Sequence, residues 1–123
     1  MKNVKILIVD DIYFNRILLT EIIKKIGWTS KDAKSGRQAV EKLKAEDFDL
    51  ILMDIEMPDI NGYEATEIIR QNLPYPKNQT PIIAITAYDI DSFSEEYAQA
   101  GFNTYISKPY TIDKISGVLS NYI

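Results

Sequence analysis

Four short apolar stretches of the chain each run into residues that can bind a metal ion or a phosphoryl group. They are residues 4–9 before Asp10 and Asp11, 50–53 before Asp54, 82–85 before Thr86, and 105–107 before Lys108. Continuous runs rich in Ile and Val are typical of parallel strands that are buried on both faces. The carboxyl ends of such strands open on the same edge of a sheet. We therefore expect these side chains to share one pocket.

The chemistry of these side chains indicates what the pocket holds. Three carboxylates repel one another and suit a hard divalent cation with oxygen ligands. The Thr86 hydroxyl and the Lys108 ammonium can donate hydrogen bonds to an anion beside that cation. The pattern therefore predicts a magnesium ion together with a phosphoryl group.

The residue types that the chain lacks exclude several classes of site. Without cysteine, neither a disulfide nor a thiolate metal site can form. Without histidine, zinc–imidazole sites, histidine acid–base chemistry and phosphorylation on a histidine of this chain are also excluded. Any histidine in the mechanism must come from a partner.

Length and charge narrow the class of protein. At 123 residues, with 46% hydrophobic and 26% charged, the chain suits one compact domain over residues 1–123. A net charge of −4 argues against nucleic-acid binding, which needs clustered Lys and Arg. The apolar stretches are too short to span a membrane, and residues 1–8 are typical of a strand, not of a signal peptide. We expect a cytoplasmic domain without membrane contact, although a longer parent protein could be membrane-anchored.

Segments with helical spacing separate the strands. Their apolar stripes are Phe14, Ile17, Leu18, Ile22 and Ile26; Ala39, Val40 and Leu43; Ala65, Ile68, Ile69 and Leu73; and Ile112, Ile115, Leu119 and Tyr122. The predicted caps are Ser35 with Gln38 for the second helix, and Ser92 with Glu95 for a fourth helix that ends at Gly101. The chain thus alternates strand and helix five times, with its second strand near residues 28–33.

Such alternation predicts an α/β fold. We expect a five-stranded parallel sheet with helices on both faces, joined by right-handed crossovers into a three-layer sandwich. The strand order 2-1-3-4-5 of flavodoxin-like, doubly wound sheets places strands 1 and 3 side by side. These are the strands that carry the three aspartates.

The motifs at the strand ends resemble those of the receiver domain of two-component response regulators. The fragments are I-L-I-V-D-D at 6–11, D-L-I-L-M-D-I-E-M-P-D-I-N-G at 49–62, P-I-I-A-I-T-A at 81–87, and A-G-F-N-T-Y-I-S-K-P at 100–109. Each fragment alone is moderately specific, but all four occur at the separations that the family shows. The resemblance covers essentially the whole chain.

The resemblance implies a role for each residue of the predicted pocket. Asp54 would accept a phosphoryl group as an acyl phosphate. Asp11, Asp54 and the backbone carbonyl of Glu56 would bind Mg²⁺, or Mn²⁺ in its place, with Asp10 acting largely through water. The other implied roles are phosphoryl binding by Thr86 and Lys108, an aromatic switch at Tyr105 that responds to Thr86, and a cis peptide bond before Pro109. From the residues themselves, Gly62 after Asn61 is expected to start the third helix through the backbone freedom of glycine.

Two further sets of residues are expected to tune the reaction and to choose the partner. Glu56 and Tyr88, each two residues beyond a site residue, would flank the entrance and alter the access of water to the acyl phosphate. A histidine kinase or histidine phosphotransfer domain, as phosphoryl donor, would dock near the first helix. The residues proposed to contact it are Ile12, Tyr13, Asn15 and Arg16.

Several kinds of protein that contain a receiver domain fit these residues. Two segments are similar to receivers of hybrid sensor kinases. They are I-Y-F-N-R at 12–16 and Y-E-A-T-E-I-I-R at 63–70. A stand-alone response regulator, or a degenerate receiver that serves as a scaffold, would fit the same residues. The domain itself is expected not to be an enzyme, and to be a monomer or a phosphorylation-dependent dimer.

Two rival classes also use related sheets. Phosphatases of the haloacid dehalogenase type form an aspartyl phosphate, but they need a second aspartate where this chain has Glu56. A flavodoxin-like binding module needs a phosphate-cradling loop after the first strand, whereas Asp10 and Asp11 would repel a phosphate without a metal. The sequence therefore favours the receiver.

Overall fold

Five strands and five helices alternate along the chain in the computed structural model, which describes residues 3–87 and 94–123. The elements are β1 (Lys5–Val9), α1 (Tyr13–Ile26), β2 (Thr29–Ala33), α2 (Gly36–Ala45), β3 (Leu50–Asp54), α3 (Gly62–Asn72), a 3₁₀ turn (Lys77–Gln79), β4 (Ile82–Thr86), α4 (Ser94–Ala100), β5 (Thr104–Ser107) and α5 (Ile112–Leu119). The predicted alternation of strand and helix is confirmed.

All neighbouring strands of the sheet run parallel, in the order β2-β1-β3-β4-β5. The predicted topology is therefore confirmed. Val9 at the end of β1 pairs with Met53 in β3, and Asp54 pairs with Ile85 in β4. This register brings the carboxyl ends of β1, β3 and β4 level with one another at one edge.

The core lies in two layers, one on each face of the sheet. On one face, Leu7 and Val9 of β1 belong to a buried cluster with residues of α2 and α3. On the other face, Ile6 and Ile8 belong to a cluster with residues of α1 and α5. Alternate residues of one strand thus point to opposite layers, as the pleat of a strand requires.

The apolar stripe predicted for α1 is only partly buried. Phe14 is 70% exposed and Leu18 is 40% exposed, whereas Leu19 and Ile23 are buried. The predicted stripe is wrong at the start of the helix because α1 carries apolar residues on two faces. The periodicity alone cannot show which of the two faces packs against the sheet.

The cap predicted at Ser35 is present, but the predicted capping box with Gln38 forms only in part. The Ser35 hydroxyl accepts a hydrogen bond from the Gln38 backbone N–H at 3.1 Å, while the Gln38 side chain accepts one from the Lys34 N–H, one residue earlier than in a capping box. The fourth helix ends before Gly101, whose φ of 102° is left-handed. Its predicted cap at Ser92 lies outside the described residues.

Arg70 fixes the loops that precede β4 and β5 to α3. Its guanidinium donates hydrogen bonds to the carbonyls of Asn78 (2.9 Å), Thr80 (2.7 Å) and Gly101 (2.9 Å), and to the Asn103 side chain (3.0 Å). Burial lowers the pKa of Arg70 from its ordinary value. Four neutral acceptors thus stabilise the half-buried cation.

No helix in the described part of the chain combines the length and the apolarity that crossing a bilayer requires.

Candidate functional site

Three carboxylates converge at the carboxyl edge of the sheet. Asp10 and Asp11 follow β1, and Asp54 ends the neighbouring strand β3. One oxygen of each carboxylate lies within 4.8 Å of the oxygens of the other two. Asp10 is 0% exposed and Asp54 is 3% exposed. The structure therefore brings together the three side chains that the sequence analysis proposed as metal ligands.

The carboxylate oxygens are only partly satisfied by the protein. Asp10 Oδ1 accepts a hydrogen bond from the Ile12 backbone N–H at 2.9 Å. Asp10 Oδ2 and Asp11 Oδ1 are buried and have no hydrogen-bond partner among the described residues. A buried acceptor without a donor is costly, by about 1–3 kcal/mol, unless a ligand satisfies it. An all-oxygen donor set of this kind fits a magnesium ion.

The buried carboxylates hold protons more tightly than ordinary aspartates. Burial raises the pKa of Asp54 to about 7, and the charges of Asp10 and Asp11 act in the same direction. The Lys108 ammonium and a hydrogen bond from the Glu56 backbone N–H oppose this rise in pKa. Burial likewise raises the pKa of Asp10 above its ordinary value. A cation in the site would favour the ionised forms of both groups.

Lys108 and Thr86 complete the edge beside the carboxylates. The Lys108 Nζ lies 3.7 Å from Asp54 Oδ1. Thr86 ends β4 and is 1% exposed, and its carbonyl accepts a hydrogen bond from the Lys108 backbone N–H at 2.7 Å. The Lys108–Pro109 peptide bond is cis. The Lys108 ammonium thus lies beside the Asp54 carboxylate, and Thr86 ends the adjacent strand β4.

Gly62 begins α3, as predicted, but for a different reason. Its φ lies outside the left-handed region, so the position does not need the backbone freedom of glycine. A Cβ atom at Gly62 would instead lie 2.4 Å from the Asp54 carbonyl oxygen and 2.8 Å from Ile55 Cα. The helix start therefore passes so close to the end of β3 that only a residue without a side chain fits.

Tyr105 is in contact with an aromatic cluster that sequence reasoning did not find. Its ring lies 5.9 Å from that of Tyr97, which lies 5.5 Å from Phe102, which in turn lies 5.9 Å from Tyr63. Tyr105 is half-buried. The four rings come from α3, α4, β5 and the loop before β5, so only the tertiary structure reveals that they meet.

Of the two residues proposed to tune the reaction, the structure describes only Glu56. Glu56 is exposed, directly beyond the Asp54 and Ile55 positions. It lines a cavity of about 350 Å³ together with Thr86 and Tyr63. Tyr88 lies outside the described residues. Both tuning roles stay predictions.

The four residues proposed for docking face in different directions. Ile12 and Tyr13 are 51% and 70% exposed. Asn15 is half-buried, and its side chain acts to lower the pKa of the Asp10 carboxyl. The Arg16 side chain is 11% exposed and donates to the Asp10 carbonyl. Docking stays a prediction, and the exposed pair suits it better than the two residues that turn inward.

Tyr110 is a site neighbour that sequence reasoning missed. Burial, with the nearby charges of Asp10 and Asp54, raises the pKa of Tyr110 to about 12. The tyrosine lines a cavity of about 180 Å³ with Lys108 and Asn15, between α1 and the turn after β5. Its position directly after Lys108-Pro109 was the available signal.

Comparison with known proteins decides the family. The sequence profile described as "Response regulator receiver domain" matches residues 6–120. The chain belongs to this receiver domain family. It is 38% identical over 117 residues to the signal transduction histidine-protein kinase BarA of Escherichia coli K12, which covers 95% of the receiver and 12% of BarA. The receiver thus spans about an eighth of the length of this relative.

Solved structures support the same assignment. The receiver domain of a sensor histidine kinase from Pseudomonas aeruginosa, described with a magnesium ion coordinated in its active-site cleft, is 30% identical, with a TM-score of 0.89 over 98% of both chains. Chemotaxis protein CheY4 of Vibrio cholerae has a TM-score of 0.91 at 24% identity, over 99% of this receiver and 100% of that chain. The second likeness shows the fold alone.

Proposed function

We propose that residues 1–123 form one receiver domain that accepts a phosphoryl group on Asp54 from a histidine of a partner protein. The convergence of the Asp10, Asp11 and Asp54 carboxylates beside the Lys108 ammonium carries this proposal. Since the chain contains no histidine, the donor histidine belongs to a kinase or phosphotransfer domain. The domain then relays the signal by changing its conformation.

Magnesium is the proposed cofactor, held by Asp10, Asp11, Asp54 and the backbone carbonyl of Glu56. Asp10 Oδ2 and Asp11 Oδ1, which are buried and have no hydrogen-bond partner in the described part of the chain, support this assignment. When bound, the ion supplies positive charge that offsets the repulsion among the carboxylates and the phosphoryl oxygens. Mn²⁺ could occupy the same oxygen ligands.

Phosphoryl transfer asks little covalent chemistry of the protein beyond its nucleophile. A carboxylate oxygen of Asp54 attacks phosphorus, the N–P bond breaks, and its electron pair returns to the imidazole of the partner. The Lys108 ammonium, 3.7 Å from Asp54 Oδ1, is placed to pair with a phosphoryl oxygen. The Thr86 hydroxyl would donate a hydrogen bond to another. Attack requires Asp54 to be ionised, which burial alone opposes.

The response to phosphorylation is proposed to pass from Thr86 to Tyr105. When the Thr86 hydroxyl moves to the phosphoryl group, the space it leaves would allow the Tyr105 ring to turn inward. The ring now packs edge-on against Tyr97 of α4, at an interplanar angle of 85°. A turn of Tyr105 therefore changes the packing of α4, which is a surface available to partners.

We infer that the parent protein is a hybrid sensor kinase. The relative BarA is a histidine kinase, and the P. aeruginosa structure is the receiver domain of a sensor histidine kinase. On this proposal the isolated domain is cytoplasmic and is not an enzyme, because it only accepts and slowly loses its own phosphoryl group. A stand-alone regulator would carry the same site.

Intact mass measurement tests the proposal. The wild type and Asp54→Asn are incubated with a small acyl-phosphate donor, with Mg²⁺ or with EDTA. We expect the wild type to gain one phosphoryl group only with Mg²⁺, and Asp54→Asn to gain none. A phosphorylated histidine phosphotransfer domain serves as a second donor. Failure of both donors to phosphorylate folded, magnesium-binding protein would contradict the proposal and indicate a degenerate receiver.

A further inference from the structure

We propose that Arg16 is a positioning residue that fixes the metal-binding turn between β1 and α1, with Asp32 as its anchor. The proposal rests on the magnesium site proposed above, because it concerns how Asp10 and Asp11 are held for the ion. Arg16 is on α1, whereas Asp32 lies on β2, at the edge of the sheet. The arginine therefore links three consecutive elements around the turn.

The guanidinium of Arg16 is held on two sides by hydrogen bonds. Its Nη1 donates to the Asp10 backbone carbonyl at 2.8 Å, and its Nε donates to Asp32 Oδ2 at 3.1 Å. The Tyr13 ring lies 5.7 Å from the guanidinium carbon. The Arg16 side chain is only 11% exposed, whereas an arginine at the surface of a helix usually extends into solvent. These contacts fix the side chain in one orientation.

Hydrogen bonds hold the carbonyl, the backbone N–H and one carboxylate oxygen of Asp10, and Arg16 supplies the bond to the carbonyl. The Asp10 backbone N–H donates to the Ala33 carbonyl at 3.1 Å, and Asp10 Oδ1 accepts from the Ile12 N–H at 2.9 Å. The remaining carboxylate oxygen, Oδ2, is buried and accepts no hydrogen bond from the residues that the structure describes. The Asp10 carbonyl belongs to the peptide group that joins Asp10 to Asp11. Holding this peptide therefore orients both carboxylates before any ion binds.

The charge of Arg16 makes a separate, opposite contribution that a test can isolate. A cation close to the site repels a magnesium ion, so loss of the charge alone should strengthen magnesium binding. Asp32, whose side chain lies within hydrogen-bonding distance, offsets much of that charge. Lysine keeps the positive charge but lacks the planar fork that reaches two acceptors at once. Arg16→Lys therefore removes positioning and leaves the charge.

Magnesium affinity is the measurement that addresses positioning directly. Wild type, Arg16→Lys, Arg16→Gln and Asp32→Asn are titrated with Mg²⁺, and backbone amide NMR shifts give the dissociation constants. Arg37→Lys is the matched control, since Arg37 Nε makes a comparable bond of 2.8 Å to Asp59 Oδ2 but is 68% exposed. We expect Arg16→Lys to bind Mg²⁺ about tenfold more weakly, as loss of a residue that supports metal ligands typically does. Arg16→Gln should also bind more weakly, but by less, because it loses the repelling charge as well. Asp32→Asn should shift in the same direction, and Arg37→Lys should not change.

A second readout separates positioning from general damage to the fold. The initial rate of phosphorylation by a small acyl phosphate is measured against magnesium concentration. If Arg16 positions the ligands, Arg16→Lys needs more Mg²⁺ for half-maximal rate but reaches the wild-type rate at saturation. A lower rate at saturating Mg²⁺ would instead indicate a disturbed acceptor site.

Each outcome decides between the two proposals. Wild-type magnesium affinity in Arg16→Lys, or stronger binding in Arg16→Gln, would overturn the positioning role and leave the proposed function intact. If the wild type itself binds no Mg²⁺, both proposals fall. Should Arg16→Gln fail to fold, as its amide spectrum would reveal, Arg16→Lys and Asp32→Asn still decide the question.

Discussion

The Asp54 carboxyl group is 3% exposed, yet the proposed attack on phosphorus requires it to be ionised. In the absence of a cation, burial raises its pKa to about 7, so the group keeps its proton to a much higher pH than an ordinary aspartate does. The burial of Asp54 therefore opposes formation of the nucleophile that the proposed function requires. Binding of magnesium and ionisation of Asp54 should accordingly be coupled, with each favouring the other.

The raised pKa of Asp54 predicts how the stability of the magnesium-free domain depends on pH. The pKa of Asp54 is raised from 3.8 to about 7 in the folded protein, so the folded state holds the proton more tightly than the unfolded chain. The resulting stability is full below pH 3.8 and is lost as the pH rises through about 7. Asp54→Asn cannot undergo this loss. In EDTA, the free energy of unfolding of Asp54→Asn should therefore rise relative to that of the wild type between pH 3.8 and about 7. With a reduction for screening by solvent, we expect this relative rise to be about 3 kcal/mol.

Urea unfolding in EDTA at several pH values between these limits measures the difference. Asp113→Asn, at an exposed position in the first turn of α5, is the control and should run parallel to the wild type. Added Mg²⁺ should stabilise the folded wild type, because the ion binds the folded site and not the unfolded chain. Asp54→Asn should gain less stability, because it lacks one of the three carboxylates of that site. If the free energy of unfolding depends on pH in the same way in the wild type and Asp54→Asn, burial does not raise the pKa of Asp54.

At the scale of elements, the placement of α3 against the end of β3 depends on one missing side chain. Gly62 donates its backbone N–H to the Ile55 carbonyl at 2.9 Å. Asn61 caps the helix in a complete capping box with Glu64. The cap and the close approach together fix the backbone that follows Asp54. The geometry of the acceptor strand is therefore sensitive to the first residue of α3.

Alanine at two glycines tests this dependence. Gly62→Ala places a Cβ 2.4 Å from the Asp54 carbonyl oxygen and should destabilise the domain by about 2–3 kcal/mol, as overpacking does. Gly117→Ala is the matched control, since a Cβ there meets nothing within 4 Å. Within α5, that change should stabilise by about 0.5–1 kcal/mol. Equal effects of the two changes on the urea midpoint would show that the contact at Gly62 is relieved without strain.

The sequence predicted three strands of the site well because β1, β3 and β4 are strongly apolar. β1, β3 and β4 are buried along almost their whole length, whereas β2 is mostly exposed and gave a weaker pattern. The convergence of the aspartates followed from strand order alone. The inward turn of Arg16 did not, because a long side chain on a helix can reach either solvent or a backbone carbonyl, and the sequence records neither.

For the whole molecule, exposed apolar side chains are unevenly distributed. Among the residues that the structure describes, the large exposed hydrophobic side chains are Ile12, Tyr13, Phe14, Ile17, Leu18, Tyr75 and Ile112. Five of these seven lie between residues 12 and 18, at the start of α1, next to the carboxyl edge that holds the candidate site. An apolar face beside a proposed phosphoryl acceptor is a suitable contact for the protein that donates the phosphoryl group.

Serine at Phe14 tests whether this face serves the donor protein. Because Phe14 is 70% exposed, Phe14→Ser should leave the stability of the domain unchanged. Transfer from a phosphorylated histidine phosphotransfer domain should slow about tenfold if the ring anchors the complex, whereas phosphorylation by a small acyl phosphate should keep its rate. Tyr75→Ser, which removes a ring that is 81% exposed near the opposite edge of the sheet, should affect neither reaction. Equal slowing with both donors would instead place the effect in the chemistry of Asp54, and equal slowing by both variants would indicate a general loss of surface apolarity rather than a docking face on α1.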